Sequence, residues 1–190
     1  PAPTDKPAKR ESMVVGGGCF WCTEAVYEEL LGVEEVISGY AGGRIPYPSY
    51  EQVLSGTTGH AEVIKITYDP AVIKPEDLLH VFFTIHDPTT LNRQGADTGT
   101  QYRSAIFYHG EAQKLAAEKS RKAAQAEFSK PIVTEITAAG KFYKAENYHQ
   151  DYFRNNPGNR YCTLVIRPKL EKLDQLKAKE KGKDSAPKAP

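Results

Sequence analysis

Sulfur is scarce in this chain. Among 190 residues there is one methionine, Met13, and three cysteines, at positions 19, 22 and 162. Three is an odd number and too few for a disulfide-stapled scaffold. One pair with a spare thiol, or a redox-cycling set, fits the count better. A structural zinc site wants four ligands, and no second Cys-x-x-Cys or His pair stands at ligand spacing, so no metal is expected. Charge of one sign is also missing. The formal net charge is +1, which leaves no global field to gather nucleic acid or a membrane surface. No apolar run approaches the ~20 residues of a membrane span, and no signal peptide is visible. The chain starts at Pro1 rather than Met. A cytoplasmic setting is the expectation, and export followed by signal removal would leave the same N-terminus.

What is present reads as one domain with two tails. Hydrophobic residues make up 39% and charged residues 26%, ordinary for a globular protein with its own core. Residues 1–11 are rich in Pro and Lys and read as a disordered tail. The folded domain is expected over residues 12–170. Residues 171–190 alternate Lys with Glu, Asp and Ala and read as a charged, mostly disordered tail whose first part forms a short exposed helix. With no apolar surface stripe evident, a monomer is the default.

The elements between the tails follow from periodicity and breakers. A strand covers Met13–Gly17, a helix Phe20–Leu31, and a second strand Val33–Tyr40. The third strand, His60–Tyr68, alternates cleanly and stops at Asp69-Pro70. Pro75 with Glu76 and Asp77 starts a helix that runs to about His86. A strand at Tyr102–Tyr108, a helix over Glu111–Phe128, a strand near Ile132–Thr137 and a short helix near Ala145–Phe153 complete the set. Residues 157–168 hold Pro157, Gly158 and Pro168 and read as coil. The first six elements spell βαββαβ. That order predicts an α/β (α+β) two-layer sandwich, a ferredoxin-like core with an added strand, added helices and long coils. Two connections longer than a dozen residues, the one between Tyr40 and His60 that holds Pro46, Pro48 and Gly56, and Asp87–Thr100, are candidates for function.

The chemistry starts at Gly18-Cys19-Phe20-Trp21-Cys22, where a strand turns into a helix. Unpaired N–H groups at a helix start favour negative charge, so Cys19 reads as a reactive thiolate rather than a packed core thiol. Phe20 and Trp21 suggest an apolar pocket beside it. Glu62 shares a strand face with Ile64, Ile66 and Tyr68. A carboxyl there is either solvated at the rim or desolvated, with its proton held toward neutrality. Tyr50 and Tyr102, near the long loops, can donate to a developing oxyanion, although tyrosines at core edges are common. Asp97 sits between glycines, which turn chemistry alone explains, and His149 lies on an aromatic-rich helix that suits a packed histidine. Cys162, in the breaker-rich coil, is placed to move and to close a disulfide on an oxidised Cys19. Cys22 competes with it for that role, since Cys-x-x-Cys at a helix start can itself cycle.

Taken with Gly39-Tyr40-Ala41-Gly42-Gly43, Pro48-Ser49-Tyr50, Thr58-Gly59-His60-Ala61-Glu62, His86-Asp87-Pro88-Thr89, Gly99-Thr100-Gln101-Tyr102-Arg103 and Ala145-Glu146-Asn147-Tyr148-His149-Gln150, the signature at Cys19 resembles the A-type peptide methionine sulfoxide reductases from about residue 12 to 168. The resemblance implies a thiol-dependent oxidoreductase that reduces the S epimer of methionine sulfoxide, free or in oxidised proteins, as a repair activity under oxidative stress. Cys19 matches the nucleophile, Glu62 the acid that protonates the sulfoxide oxygen, and Tyr50 and Tyr102 the hydroxyls that hold it. Phe20 and Trp21 match the pocket for the S-methyl group, Asp97 a polar lining residue, and Cys162 the recycling cysteine. His149 is grouped with the substrate-binding residues. Thioredoxin or another dithiol is the implied reductant, with no metal or organic cofactor, no nucleic acid and no membrane partner. Many members carry Gly where this chain has Cys22, so Cys19–Cys162, Cys19–Cys22 and a relay through both all stay open. A thioredoxin-like dithiol oxidoreductase and a non-catalytic peptide-binding module are the rival readings.

Overall fold

A computed structural model describes residues 9–184. The six strands of the main sheet lie in the order β7-β6-β1-β3-β2-β8. Along the chain the elements are β1 (Glu11–Gly17), α1 (Phe20–Tyr27), β2 (Val33–Ala41), α2 (Tyr50–Leu54), β3 (Ala61–Tyr68) and α3 (Pro75–Ile85). There follow a two-strand hairpin, β4 (Arg93–Gln94) and β5 (Asp97–Thr98), then β6 (Ser104–Tyr108), α4 (Gly110–Ala124) and β7 (Glu135–Ala138). The last elements are β8 (Tyr143–Lys144), α5 (Tyr152–Asn155) and α6 (Arg167–Asp184).

The inner four strands run β6-β1-β3-β2, each antiparallel to its neighbours. This is the order of a split βαβ sandwich, because α1 carries the chain from β1 to β2 past β3, and α3 carries it from β3 to β6 past β1. The parallel strand β7 extends one edge and β8 the other. The expected two-layer architecture is therefore present. The larger core lies between one sheet face and the helices. It joins Val15, Ile64, Ile66 and Tyr68 to Phe20, Val26, Leu78, Phe82 and Leu173. The smaller core, with Val14, Val63 and Phe107, lies on the other face, packed against Ala139 and Phe142.

Several expectations change in detail. Helix α1 stops at Tyr27 rather than Leu31, and the chain turns through Gly32 at φ 94°. The first long loop contains α2, whose start is closed by a capping box between Ser49 and Gln52. The second contains the β4–β5 hairpin.

Both tail boundaries also shift. Residues 1–8 fall outside the described residues, so that part of the expected N-terminal tail carries no structural statement. Arg10 pairs with Glu34 and Asp69, and β1 begins at Glu11. At the C-terminus the expected short helix is longer and packed: α6 continues to Asp184, and residues 185–190 lie outside the described residues. Ile166 and Leu173 are buried, and Leu170 and Leu176 pack on the core. That spacing is an apolar stripe on one helix face, and Lys177 Nζ donates to Glu29 O at 2.9 Å.

The expected coil before α6 is helical as well. Thr163 N donates to Asn159 O, and residues 162–166 form a wide π-helical turn. Pro168 has no N–H and cannot continue a tight ladder, and a single wide turn absorbs the misfit.

Candidate active site

Three glycines deliver Cys19. Gly18 adopts φ 94°, and a Cβ there would meet Gln94 Cγ at 2.6 Å. A Cβ on Gly16 would meet Glu62 O at 2.8 Å. Strand β3 can therefore lie close to β1 where Glu62 stands. The chain turns at Gly18 and starts α1 with Cys19 at its N-cap.

The first N–H of that helix does not serve the sulfur. Phe20 N donates to Glu62 Oε2 at 3.1 Å, in a buried bond. Glu62 is 1% exposed. Burial pushes its carboxyl up to about 8, against the pull of the Phe20 N–H and with the negative charges of Asp97 and Cys22 adding to the rise. The rim alternative is thus excluded; Glu62 is a desolvated acid that keeps its proton near neutrality. Tyr40 stands opposite it in the sheet register. Tyr50 and Tyr102 are half-buried, and both hydroxyls are pushed up by burial first and by the charge of Glu62 next. They stay protonated donors on the side of Glu62.

The two N-terminal thiols behave as a pair. Burial, a hydrogen bond with Cys22 and the negative charges of Glu62 and Cys22 push the Cys19 thiol well up. The same hydrogen bond pulls Cys22 down, with help from Lys169 and Tyr161, against its burial. The expectation of a resting thiolate on Cys19 is corrected: the helix N–H is spent on Glu62, and negative charge is easier to place on Cys22.

An aromatic wall adjoins the cysteine. Phe20 lies 5.7 Å from Tyr40 and 6.5 Å from Tyr50, ring centre to ring centre. Trp21 stacks on Tyr152 at 3.7 Å and 6°, and the edge of Tyr161 meets it at 5.8 Å. His149 is fully buried behind this wall. Its Nδ1 accepts from Trp21 Nε1 at 2.9 Å, which places the proton on Nε2, and burial holds the ring neutral by pulling it down. His149 Nε2 has no hydrogen-bond partner and lies 3.7 Å from Glu146 Oε2. Glu146 itself accepts from Tyr50 N at 2.7 Å and from the Tyr40 hydroxyl at 2.8 Å. His149 therefore faces the back of Phe20, Trp21 and Tyr50 rather than open space.

The C-terminal segment closes the other side. The Tyr161 hydroxyl donates to Asp97 Oδ2 at 2.8 Å and lies 3.6 Å from Cys22 Sγ. Asp97 thus joins the site through the β4–β5 hairpin. Cys162 is fully buried in the π-helical turn, and burial, then the charge of Cys22, pushes its thiol up. The expected mobile coil around Cys162 is instead a docked helical turn. Among the described residues no group of three or more His, Cys, Asp or Glu is arranged to hold a metal ion.

Tyr161, Tyr152, Glu146 and Lys169 went unassigned in the sequence reading. Tyr161 had one signal, its position beside Cys162. Glu146 stood in a motif quoted for resemblance but carried no role. The other two become visible only when distant segments meet.

The model of the family described as "Peptide methionine sulfoxide reductase" matches residues 11–182. The peptide methionine sulfoxide reductase MsrA of Leptospira borgpetersenii is 52% identical over 174 residues, covering 90% of this chain and 99% of that protein. The MsrA of a Nitratiruptor species is 56% identical over 163 residues, 86% of this chain and 94% of its own length. Among solved structures, the reduced form of Mxr1 from Saccharomyces cerevisiae superposes with TM-score 0.78 at 40% identity, covering 83% of this chain and 91% of that one. Mxr1 in complex with Trx2 superposes with TM-score 0.56 at 30% identity, covering 79% and 91%.

Proposed function

This chain belongs to the peptide methionine sulfoxide reductase family, and from that premise we propose that it reduces the S epimer of methionine sulfoxide, free or within proteins, through Cys19 and Glu62. It is an oxidoreductase of the MsrA type. The observation that carries the residue assignment is the buried Glu62 carboxyl, held beside Cys19 by the Phe20 N–H and pushed up to about 8. A sulfoxide has an electrophilic sulfur and a poor leaving oxygen, so thiolate attack needs a proton delivered to that oxygen.

Protonated Glu62 lays no negative charge beside Cys19, so the thiol ionises more readily when the acid is in its working form. The Cys19 sulfur attacks the sulfoxide sulfur, and Glu62 gives its proton to the oxygen. The hydroxyls of Tyr50 and Tyr102 donate to that oxygen as charge develops. Phe20 and Trp21 receive the S-methyl group. An S–S bond thus joins Cys19 to the methionine sulfur as the S–O bond breaks and the protonated oxygen leaves as water. A water molecule then attacks the Cys19 sulfur, the S–S bond breaks, and methionine leaves reduced by two electrons with Cys19, oxidised by two, as a sulfenic acid.

A second thiol then attacks the Cys19 sulfenic sulfur. An S–S bond forms, the S–O bond breaks, and the oxygen leaves as water with one proton from the thiol. Cys162 is the resolving cysteine in the pairing the resemblance implies. The placement of Cys19 and Cys22 one turn apart on α1, both lining one cleft, favours a second reading, in which Cys22 attacks first and the disulfide passes on to Cys162. A dithiol partner such as thioredoxin restores both thiols; the likeness to Mxr1, solved with Trx2, supports that partner. No metal or organic group enters this scheme, and the enzyme acts as a monomer on oxidised methionine in proteins and peptides. Asp97 orients Tyr161 at the pocket rim, and His149 acts on substrate through Trp21 and Tyr50. No helix among the described residues is long and apolar enough to cross a membrane, and a cytoplasmic setting is proposed.

The stereochemical assay tests the whole reading. Incubated with both epimers of a methionine sulfoxide peptide and dithiothreitol, the protein is expected to consume the S epimer alone. Consumption of the R epimer, or binding without turnover, would overturn it.

A further inference from the structure

A cleft of about 780 Å³ opens beside the paired cysteines. Its lining includes Cys19 and Cys22 at the start of α1, His86 and Asp87 after α3, Asp97 on the hairpin, and Lys169 on α6. Lys169 is half-buried, and its Nζ donates to Ile85 O at 2.8 Å. Ile85 ends α3, so one ammonium proton is fixed on a C-terminal carbonyl, where the helix dipole favours a cation. Among the described residues no carboxylate pairs with this ammonium. A cation drawn partly out of water without an ion pair is costly, and the groups around it show what offsets the cost.

Each titratable neighbour can be weighed. His86 has both ring nitrogens engaged, by Phe82 O and Ser104 Oγ, and burial pulls it down to about 4, so it is neutral. Asp87 is held by Thr89. Asp97 is held by the Tyr161 hydroxyl. Lys172, exposed one turn along α6, adds like charge. Asp97 also presents negative charge to Lys169, and the dithiol, which lines the same cleft, is the reacting group that the ammonium faces. The two thiols also differ in surroundings, because burial first of all pushes the Cys19 thiol up, whereas Cys22 feels the ammonium.

We infer that Lys169 is a positioning residue of the recycling half of the cycle, the cation that keeps the negative charge of the Cys19–Cys22 pair on the Cys22 sulfur. This rests on the reading in which Cys22 is the first thiol to attack oxidised Cys19. A thiolate, rather than a thiol, makes that attack, so the ammonium raises the fraction of Cys22 ready to form the S–S bond as hydroxide leaves and takes up a proton to become water. The helix that carries Lys169 continues directly from the turn that holds Cys162. Displacing that segment to bring Cys162 forward would therefore also move the charge away from Cys22.

The test is a site-resolved thiol titration of the reduced full chain, following iodoacetamide labelling of Cys22 by mass spectrometry across pH. Lys169→Met should raise the Cys22 midpoint by about one pH unit and so slow its labelling near neutrality about tenfold. Lys169→Arg, which keeps the charge, should stay close to the parent protein. An unmoved midpoint in Lys169→Met, or equal shifts in Met and Arg variants, overturns the inference. If Lys169→Met does not fold, the reciprocal measurement decides: the Lys169 amine, followed by its ¹³Cε shift, should titrate lower in Cys22→Ser than in the parent, and equal midpoints overturn the inference. Failure of the underlying reading looks different: Cys22→Ser would form the Cys19–Cys162 disulfide at the parental rate after one turnover.

Discussion

The backbone N–H of Phe20 donates to the carboxyl of Glu62 at 3.1 Å, joining residues 42 apart in the chain. This one bond makes the residue after the nucleophile the anchor of the acid. It also explains why Cys19 gains little from its helix terminus. Glu62 must carry its proton to act, and burial sets that proton's loss at about 8. Methionine formation in a single turnover should therefore decline as pH rises through about 8. Glu62→Gln should lower the rate by about 10²–10⁴-fold and abolish that declining limb, while leaving general reduction of a small disulfide by the cysteines intact. A variant that keeps the parental pH profile would remove Glu62 from the chemistry.

The indole of Trp21 is held from two directions, by the face of Tyr152 and by His149 Nδ1. His149→Phe keeps an aromatic ring of similar breadth and removes the acceptor, leaving a part-buried indole N–H unpaired. An unmade hydrogen bond of this kind costs about 1–3 kcal/mol, readable as a lower urea midpoint. Because the indole forms the pocket wall, KM for a sulfoxide peptide should rise more than kcat falls. His149→Asn, whose amide oxygen can stand near Nδ1, should recover part of both. Equal KM values for the Phe variant and the parent would show that the indole needs no such support.

The sequence made the sheet readable because β1, β3 and β6 alternate or run apolar between clear breakers, and their order is that of a split βαβ. It also exposed Cys19 and Glu62, each by a local pattern. It misled at the C-terminus. Ile166, Leu170, Leu173 and Leu176 keep a helical spacing, but the surrounding Lys and Glu hide the stripe, and Pro168 reads as a terminator where the chain instead widens one turn. Long-range bonds left no local trace. Nothing near Glu146 announces that it will receive the N–H of Tyr50, 96 residues earlier, and Lys169 is an ordinary lysine until α6 packs beneath the cysteines. The charge state of Cys19 has the same origin, since the first N–H of its helix is taken by a residue from another strand.

Glu24 supplies a pH dependence that is independent of catalysis. It is 2% exposed, and burial pushes its carboxyl up to about 7, against the backbone N–H groups of Asp151 and Tyr152. Its Oε1 has no hydrogen-bond partner. A folded-state value above the unfolded one means that the native state binds the proton more tightly. The stability this gives is fully present below about pH 4.5 and is lost as pH rises through about 7. Glu24→Gln should therefore melt closer to the parent near pH 5 and above it near pH 8, in paired thermal unfolding scans. Comparing the two proteins cancels the opposite contribution of His86, whose folded value of about 4 withdraws stability as pH falls from about 6.5. A constant difference between the two proteins at both pH values would show that Glu24 is not the titrating group.

The order of disulfide formation separates the recycling schemes, because the three thiols are not equivalent in the reduced fold. Cys22 stands one helical turn from Cys19, its backbone N–H donating to Cys19 O at 3.1 Å, whereas Cys162 is fully buried in a docked helical turn. Reaching Cys19 from that turn requires undocking a segment held by Leu173, by the Lys169–Ile85 bond and by the Tyr161–Asp97 bond. A bond within one turn of α1 needs no such undocking. After one equivalent of substrate, rapid acid quenching and mass mapping should find Cys19–Cys22 first and a Cys162 disulfide later. Cys162→Ser should keep the first turnover and the Cys19–Cys22 bond but lose most thioredoxin-linked cycling. Cys22→Ser should slow disulfide formation to the rate at which the C-terminal segment opens, a rate that mild urea would increase. A Cys19–Cys162 bond appearing first in the parent protein would mean that the segment opens before Cys22 can react, and the direct pairing would stand.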